Sequence, residues 1–294
     1  MSRELIARYW KAQDPYDPKT LAECRHRDWT AEWPQSGERV PSHENDVVIN
    51  ENYPGYPRHE LDQARGDAEQ WTMTPFFSPV RVEGSGELWI GEARLHYPEQ
   101  GVYHAVAILE LKDHQVFRDT VYFAAPFEAP EWRRDLVEPL EEQPDLEGWE
   151  EAIKTVSSSG DERAHEAAIR SMFGAATMEG TEAERRSRYA EAVRDAFHPD
   201  GEEILVASRE RIRGLDRMIA RIERKPDFPN EGRIRRIIGR GDLFVLEARL
   251  VYEDGAFWEA AIYSFRGDKI LTARQYYAAE IEPPQWRSQW VERI

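Results

Sequence analysis

The chain has 294 residues and a formal net charge of −17, with 32% charged and 40% hydrophobic residues. That acidity repels phosphate backbones and makes nucleic acid a poor partner, while the apolar and aromatic content is ample for a folded core. The single cysteine, Cys24, excludes an intrachain disulfide. No run approaches the roughly 20 apolar residues that a membrane-spanning helix needs, and the charged start MSRELIARYWKAQ is unlike a signal peptide. A soluble, cytoplasmic protein with no membrane partner is expected.

Leu5, Ile6 and Tyr9 lie at helical spacing, which predicts a short amphipathic helix over 3–13 that stops before Pro15. A second helix is expected over 19–26, with Leu21 and Cys24 inward. Residues 28–33 alternate and are rich in Trp and Thr, so they read as a strand closed by Pro34. Ser42 is placed to cap a third helix running to Asn52. Four long strands are expected next, near 74–83, 88–97, 102–112 and 116–125, with turns at 84–86, 98–101 and 113–114. Residues 134–160 are acidic, hold two prolines and end in Ser157-Ser158-Ser159-Gly160, which reads as a linker with a short helix near Trp149. Helical patterns over 161–177 and 182–197 follow.

Much of this occurs twice. GELWIGEARLHY from Gly86 returns as GDLFVLEARLVY from Gly241, and TVYFAAPFEAPEWR from Thr120 returns as RQYYAAEIEPPQWR from Arg274. The offsets agree, 247 − 92 = 155 for the Glu of EARL and 276 − 122 = 154 for the Tyr. Upstream, His26 and Asp28 match His198 and Asp200 at an offset of 198 − 26 = 172. The first copy therefore carries 172 − 155 = 17 extra residues, placed around 58–74 as an enlarged loop. A duplication of one domain follows, with copies over 1–138 and 161–294 joined by an acidic linker over 139–160.

Helices, then the phrase EWPQSGERV, a helix ending in NENYPG and a final strand written YFAAPFEAPEWR resemble the nuclear transport factor 2-like superfamily, and its SnoaL-like members most of all. The resemblance implies an α+β class: two tandem cone-shaped domains, each a curved antiparallel β-sheet closed by about three N-terminal helices. It also implies small-molecule pockets that work by acid–base chemistry without metal or cofactor, as in polyketide cyclases, steroid isomerases, dehydratases and epoxide hydrolases. Pairing through the open face of the sheet is common there, so an intrachain pseudo-dimer, with or without further homo-oligomer formation, is the expected assembly.

A base in such a pocket is an ionisable side chain between apolar neighbours on the inward face of a strand. Asp119 fits, sharing a face with Phe117, Val121 and Phe123 by alternation. Similar members that hydrolyse epoxides carry an acid directly before the Tyr-aromatic pair, where this chain has Val121. His104 and His26 are the assisting candidates, although His26-Asp28 and its repeat His198-Asp200 also read as a shared structural tie. Trp33, Tyr53, Tyr56, Phe117, Val121 and Trp89 complete the expected lining, and Trp71, Phe76 and Phe77 cluster near the enlarged loop. In the second copy Ala273, Gln275 and Trp258 stand at the positions of Asp119, Val121 and His104, so the active pocket is expected in the first copy and a filled one in the second.

Glu92-Arg94 and Glu247-Arg249 read as structural ion pairs, and the basic run 209–224 as a solvated helix face. No phosphate loop, HExxH, CxxC or GxSxG is present, so neither metal nor cofactor is expected. Two functions stay open. One is a cofactor-independent isomerase, cyclase, dehydratase or hydrolase acting on a small apolar molecule; the other is a non-catalytic ligand-binding or scaffold protein.

Overall fold

The computed structural model describes residues 2–13, 16–53, 76–97, 101–140, 153–157 and 160–294. The chain forms two compact units. The first gathers Met1–Pro126, Gln143–Thr155 and Ile281–Ile294; the second gathers Phe127–Glu142 and Val156–Glu280.

In the first unit, α1 (Ser2–Lys11), α2 (Pro18–Cys24) and α3 (His43–Glu51) alternate with β1 (Arg25–Trp33) and β2 (Glu38–Val40). The meander β3 (Phe76–Ser85), β4 (Leu88–Tyr97), β5 (Gly101–Lys112) and β6 (Gln115–Ala124) follows. Local chemistry sets the helix starts. Asp17 accepts the Thr20 N–H ahead of Pro18 at the first helical position, and Ser42 accepts the Asn45 N–H at 3.3 Å. The helices bury Ile6, Tyr9, Trp10, Leu21 and Ile49 against Trp29, Trp89, Ala107 and Leu109 on the sheet. Packing is close enough that a Cβ on Gly91 would stand 2.1 Å from the Trp10 ring.

The second unit repeats the plan. Its helices are α4 (Glu162–Thr177), α5 (Glu182–Ala196) and α6 (Leu215–Arg224). Its strands are β9 (Phe197–Leu205), β10 (Glu210–Arg213), β11 (Glu231–Arg240), β12 (Leu243–Tyr252), β13 (Gly255–Arg266) and β14 (Lys269–Ala279). A Thr181–Glu184 capping box opens α5 and Asp161 caps α4. His165, fully buried on α4, places Nδ1 2.9 Å from the Gly241 carbonyl and Nε2 2.8 Å from that of Gly267, tying two strand turns to the helix.

The sheets are not wholly antiparallel, as expected, but mixed. β1 pairs parallel with β6 and β9 parallel with β14, because each last strand returns beside the first strand after the intervening crossover. With three short strands, β7 (Glu138–Pro139), β8 (Ile153–Thr155) and β15 (Glu292–Arg293), the strand orders are β15-β2-β1-β6-β5-β4-β3-β8 and β11-β12-β13-β14-β9-β10-β7, so the seven strands of the second sheet follow the order of the first, which adds β8 at one edge. Register shifts in each sheet mark bulges, the usual means of bending a sheet.

The three short strands β7, β8 and β15 lie in segments whose composition is that of a tail or linker. Residues 127–142 follow the first meander in sequence, yet they belong to the second unit, where β7 pairs with β10. Residues 281–294 belong to the first unit, where β15 pairs with β2. Each tail is anchored by an arginine. Arg133 is buried, and its Nε lies 3.1 and 3.2 Å from the Glu210 carboxylate oxygens; Arg287 binds Glu38 at 3.2 and 2.6 Å. These ties explain why Glu38 and Glu210 recur in the sequence. The expected enlarged loop, with Tyr56 and Trp71, and the helix near Trp149 lie outside the described residues.

Candidate active site

The inward face of the second sheet carries Ala261, Tyr263 and Phe265 from β13, Leu246, Ala248 and Leu250 from β12, and Ala273 and Tyr277 from β14. Glu259 continues the β13 row, paired with Ala248 on one side and Tyr277 on the other. With α4, α5 and α6, this face borders a cavity of ≈ 60 Å³, lined by Met172, Phe173, Ala176, Tyr189, Arg221, Ile222, Lys225, Phe228, Pro229, Leu246, Leu250, Tyr252, Glu259, Tyr263 and Tyr277. A water needs about 10–15 Å³ measured this way, so the space holds several waters or a small organic molecule.

The polar groups around this cavity play different parts. Arg221 of α6 is buried and forks onto buried Glu203 of β9, with Nε–Oε2 at 3.0 Å and Nη2–Oε1 at 3.1 Å. That pair fixes the cation and leaves it no freedom as a proton donor. Lys225 follows the helix, its backbone N–H on the Arg221 carbonyl at 3.0 Å, and its Nζ donates to the Tyr252 hydroxyl at 3.1 Å. Burial pushes the Lys225 ammonium down to about 8, against the opposing pull of Asp227. Burial pushes the Glu259 carboxyl up to about 7, and the positive charge of Lys225 and a hydrogen bond from Tyr277 restrain the rise. Tyr189, Tyr252, Tyr263 and Tyr277 are all raised by burial, so they stay protonated at neutral pH and act as hydrogen-bond donors. A buried carboxyl poised near neutrality beside a lowered lysine is equipped to give and take protons. Among the described residues, no group of three or more His, Cys, Asp and Glu side chains is placed to hold a metal ion.

Asp119, the leading sequence candidate, is buried in the first unit. The Tyr9 hydroxyl donates to its Oδ2 at 2.8 Å, and its Oδ1 has no hydrogen-bond partner among the described residues. Burial lifts its carboxyl to about 6, against the Tyr9 hydrogen bond and the nearby Arg25. Arg25 itself lies 3.7 Å from the Trp29 ring and binds Asp46 at 2.8 Å, and Asp46 also accepts from Tyr16 at 3.0 Å.

The other candidates do not gather around Asp119. His104 pairs with Ala124 whereas Asp119 pairs with Leu109, so alternation along β5 puts His104 on the opposite face. His26 lies within β1 rather than before it, and its Nδ1 accepts the Asp28 N–H at 3.1 Å; His198 and Asp200 repeat the tie at 3.1 Å. Phe117 packs edge-on against His26 at 5.6 Å. Trp89 is a core residue, and partly buried Val121 packs on the same core. Trp33 and Tyr53 grip the C-terminal tail, Trp33 under the Arg287 guanidinium at 4.4 Å and Tyr53 edge-on to Trp286 at 5.6 Å. Tyr56 lies outside the described residues.

The second unit, expected to be filled, holds the cavity. Glu259 does not stand at a position matching Asp119, Val121 or His104, so matching the two copies position by position does not point to it. Arg221, expected on a solvated helix face, is 6% exposed. The signal lay in α6 itself, where Arg221 falls on the face of Met218 and Ile222 at helical spacing.

No family model matches the chain, and no curated protein does. Solved structures do. An NTF-2 like protein of unknown function from Burkholderia xenovorans LB400 is 28% identical, covering 45% of this chain and 97% of its own, with a TM-score of 0.40. An LEH-like epoxide hydrolase from M. tuberculosis is 20% identical over 39% of this chain and 83% of its own, with a TM-score of 0.32. A hypothetical protein with a ketosteroid isomerase-like fold from Catenulispora acidiphila, in complex with trimethylamine, is 19% identical over 41% and 88%, with a TM-score of 0.32.

Proposed function

We propose that the second unit binds a small, largely apolar molecule and moves a proton on it, with Glu259 as the acid or base. One observation carries this reading: the buried Glu259 carboxyl, raised by burial, lines a cavity whose other walls are apolar and tyrosine side chains together with Arg221 and Lys225. The tyrosine hydroxyls orient the molecule, and the closed Arg221–Glu203 ion pair keeps a fixed, non-titrating cation at one wall. Proton transfer without a cofactor is the chemistry such a set performs, as an isomerase, cyclase, dehydratase or hydrolase does. The chain itself is read as a tandem of two copies, over 1–138 and 161–294 about a linker at 139–160, a reading supported by the repeat offsets and by the matching strand orders.

A second reading keeps the first unit as the active one, with Asp119 as the proton-transfer group. It is favoured by the unpartnered Oδ1 of a buried, raised carboxyl. Saturation-transfer NMR with butan-1-ol separates the two. Transfer that vanishes in Ala176→Trp, which fills the cavity, and persists in Asp119→Asn supports the second unit. Transfer that ignores Ala176→Trp and responds to Asp119→Asn moves the site to the first.

A further inference from the structure

The chain carries 39 Lys and Arg residues, of which only six are lysines: Lys11, Lys19, Lys112, Lys154, Lys225 and Lys269. Arginine supplies the buried and bridging cations throughout, at Arg25, Arg133, Arg221 and Arg287. That choice suits fixed charge, because a guanidinium does not lose its proton in a protein. The cavity wall breaks the pattern, since Lys225 lines it one turn after Arg221. Lys225 is not bound bidentately to an acid. Its Nζ meets the neutral hydroxyl of Tyr252 at 3.1 Å, and its backbone is pinned at the end of α6 between the Arg221 carbonyl and Pro226. An amine in these surroundings is the one nitrogen of the cavity able to become neutral, and a neutral amine is a nucleophile.

We propose that Lys225 is a covalent site for carbonyl compounds, forming a Schiff base with a small aldehyde or ketone in the second unit's cavity. The proposal rests on the reading of that cavity as a ligand site and adds the class of ligand. The Nζ lone pair adds to the carbonyl carbon, and one amine proton passes to the oxygen to give a carbinolamine. Glu259, in its protonated form, then donates to the hydroxyl, which leaves as water while the nitrogen lone pair closes the C=N bond. The product is an iminium cation opposite the Glu259 carboxylate. One carbonyl oxygen leaves as water, and no oxidant or reductant takes part. Glu259 is thereby the group that can next remove a proton from the carbon beside the iminium. The burial that lowers the Lys225 ammonium and raises the Glu259 carboxyl increases the share of free amine and of protonated acid present at neutral pH.

The test is reductive labelling of the full chain at pH 7 with butanal and sodium cyanoborohydride, read by peptide mapping so that the N-terminal amine is scored apart from the lysines. Lys225 is expected to be labelled at least about 10-fold faster than any of the other five, whose amines are almost wholly protonated at that pH. Lys225→Arg abolishes the fast phase, and Glu259→Gln slows it. Labelling of Lys225 no faster than of Lys112 or Lys269 overturns the proposal, and this comparison needs no variant. If butan-1-ol occupies the cavity while Lys225 stays unlabelled, the covalent site falls alone. If butan-1-ol is not bound there either, the ligand site falls with it.

Discussion

The two units bury an ion pair between their first strand and third helix, with the charges reversed. In the first, the strand supplies the cation Arg25 and the helix the anion Asp46; in the second, the strand supplies Glu203 and the helix Arg221. Their titrating carboxyls differ in the same way. Asp119 stands on the last strand under Tyr9, in a face packed by Trp10, Trp29 and Trp89, whereas Glu259 stands one strand over and faces tyrosines across a cavity. In the first unit the Trp10 ring lies over Gly91, and the position matching Gly91 is Leu246, at the wall of the second unit's cavity (91 + 155 = 246). Similar strand orders thus carry a Tyr9–Asp119 contact beside tryptophans in one unit and a cavity lined by Glu259 in the other.

The comparison breaks most visibly in turnover. For any substrate the protein converts, Glu259→Gln is expected to lower the rate about 10²–10⁴-fold, the usual worth of a positioned acid or base. Asp119→Asn should leave it within about 2-fold, and the reverse ranking would hand the chemistry to the first unit.

Next in size are the two ion pairs. Removing one partner leaves a buried charge without its counterion, so Arg221→Ala and Asp46→Ala are each expected to cost about 3–5 kcal/mol in denaturant unfolding. A cost below about 1 kcal/mol for Arg221→Ala would show a solvated helix face instead.

The pH dependence follows in size. Glu259 sits near 7 against an ordinary 4.5, and Asp119 near 6 against 3.8. The folded chain therefore holds more protons than the unfolded chain between these values, and stability contributed by each group is full below its ordinary pKa and lost as pH rises through the folded one. Thermal scans should show the melting temperature falling from about pH 4.5 to 7 on this account. Glu259→Gln removes the upper part of the slope, and Asp119→Asn the lower. An unchanged slope in both variants would locate the titration elsewhere.

The tails give the smallest effect. Trp132 and Trp286 are only half-buried, and the anchors are Arg133 and Arg287. Trp132→Ala should cost about 1 kcal/mol, well under the 3–5 kcal/mol expected when fully buried Trp89 is truncated. Equal costs would make the tail tryptophan a core residue.

Much of the fold was legible because its signals are local. Ser42 caps a helix wherever the chain goes, and the alternation around Asp119 is enough to place that carboxyl inward. The tails were not legible, since Arg133 and Arg287 find their carboxylates 77 and 249 residues away, and nothing near PEWR or PQWR announces a strand. Parallel pairing of β1 with β6 was hidden for the same reason. His104 failed on register, because apolar neighbours exist on both faces of β5. Glu259 failed because matching the copies position by position assumes that a duplicated site keeps its acid in place, and here the acid stands on the neighbouring strand.

The central claim is that Glu259 titrates inside a ligand cavity, and carboxyl ¹³C NMR of the full chain tests it most directly. The account predicts a side-chain resonance that titrates near pH 7, disappears in Glu259→Gln, survives in Asp119→Asn, and shifts when butan-1-ol is added. A Glu259 resonance that titrates near 4.5 and ignores the alcohol would contradict it.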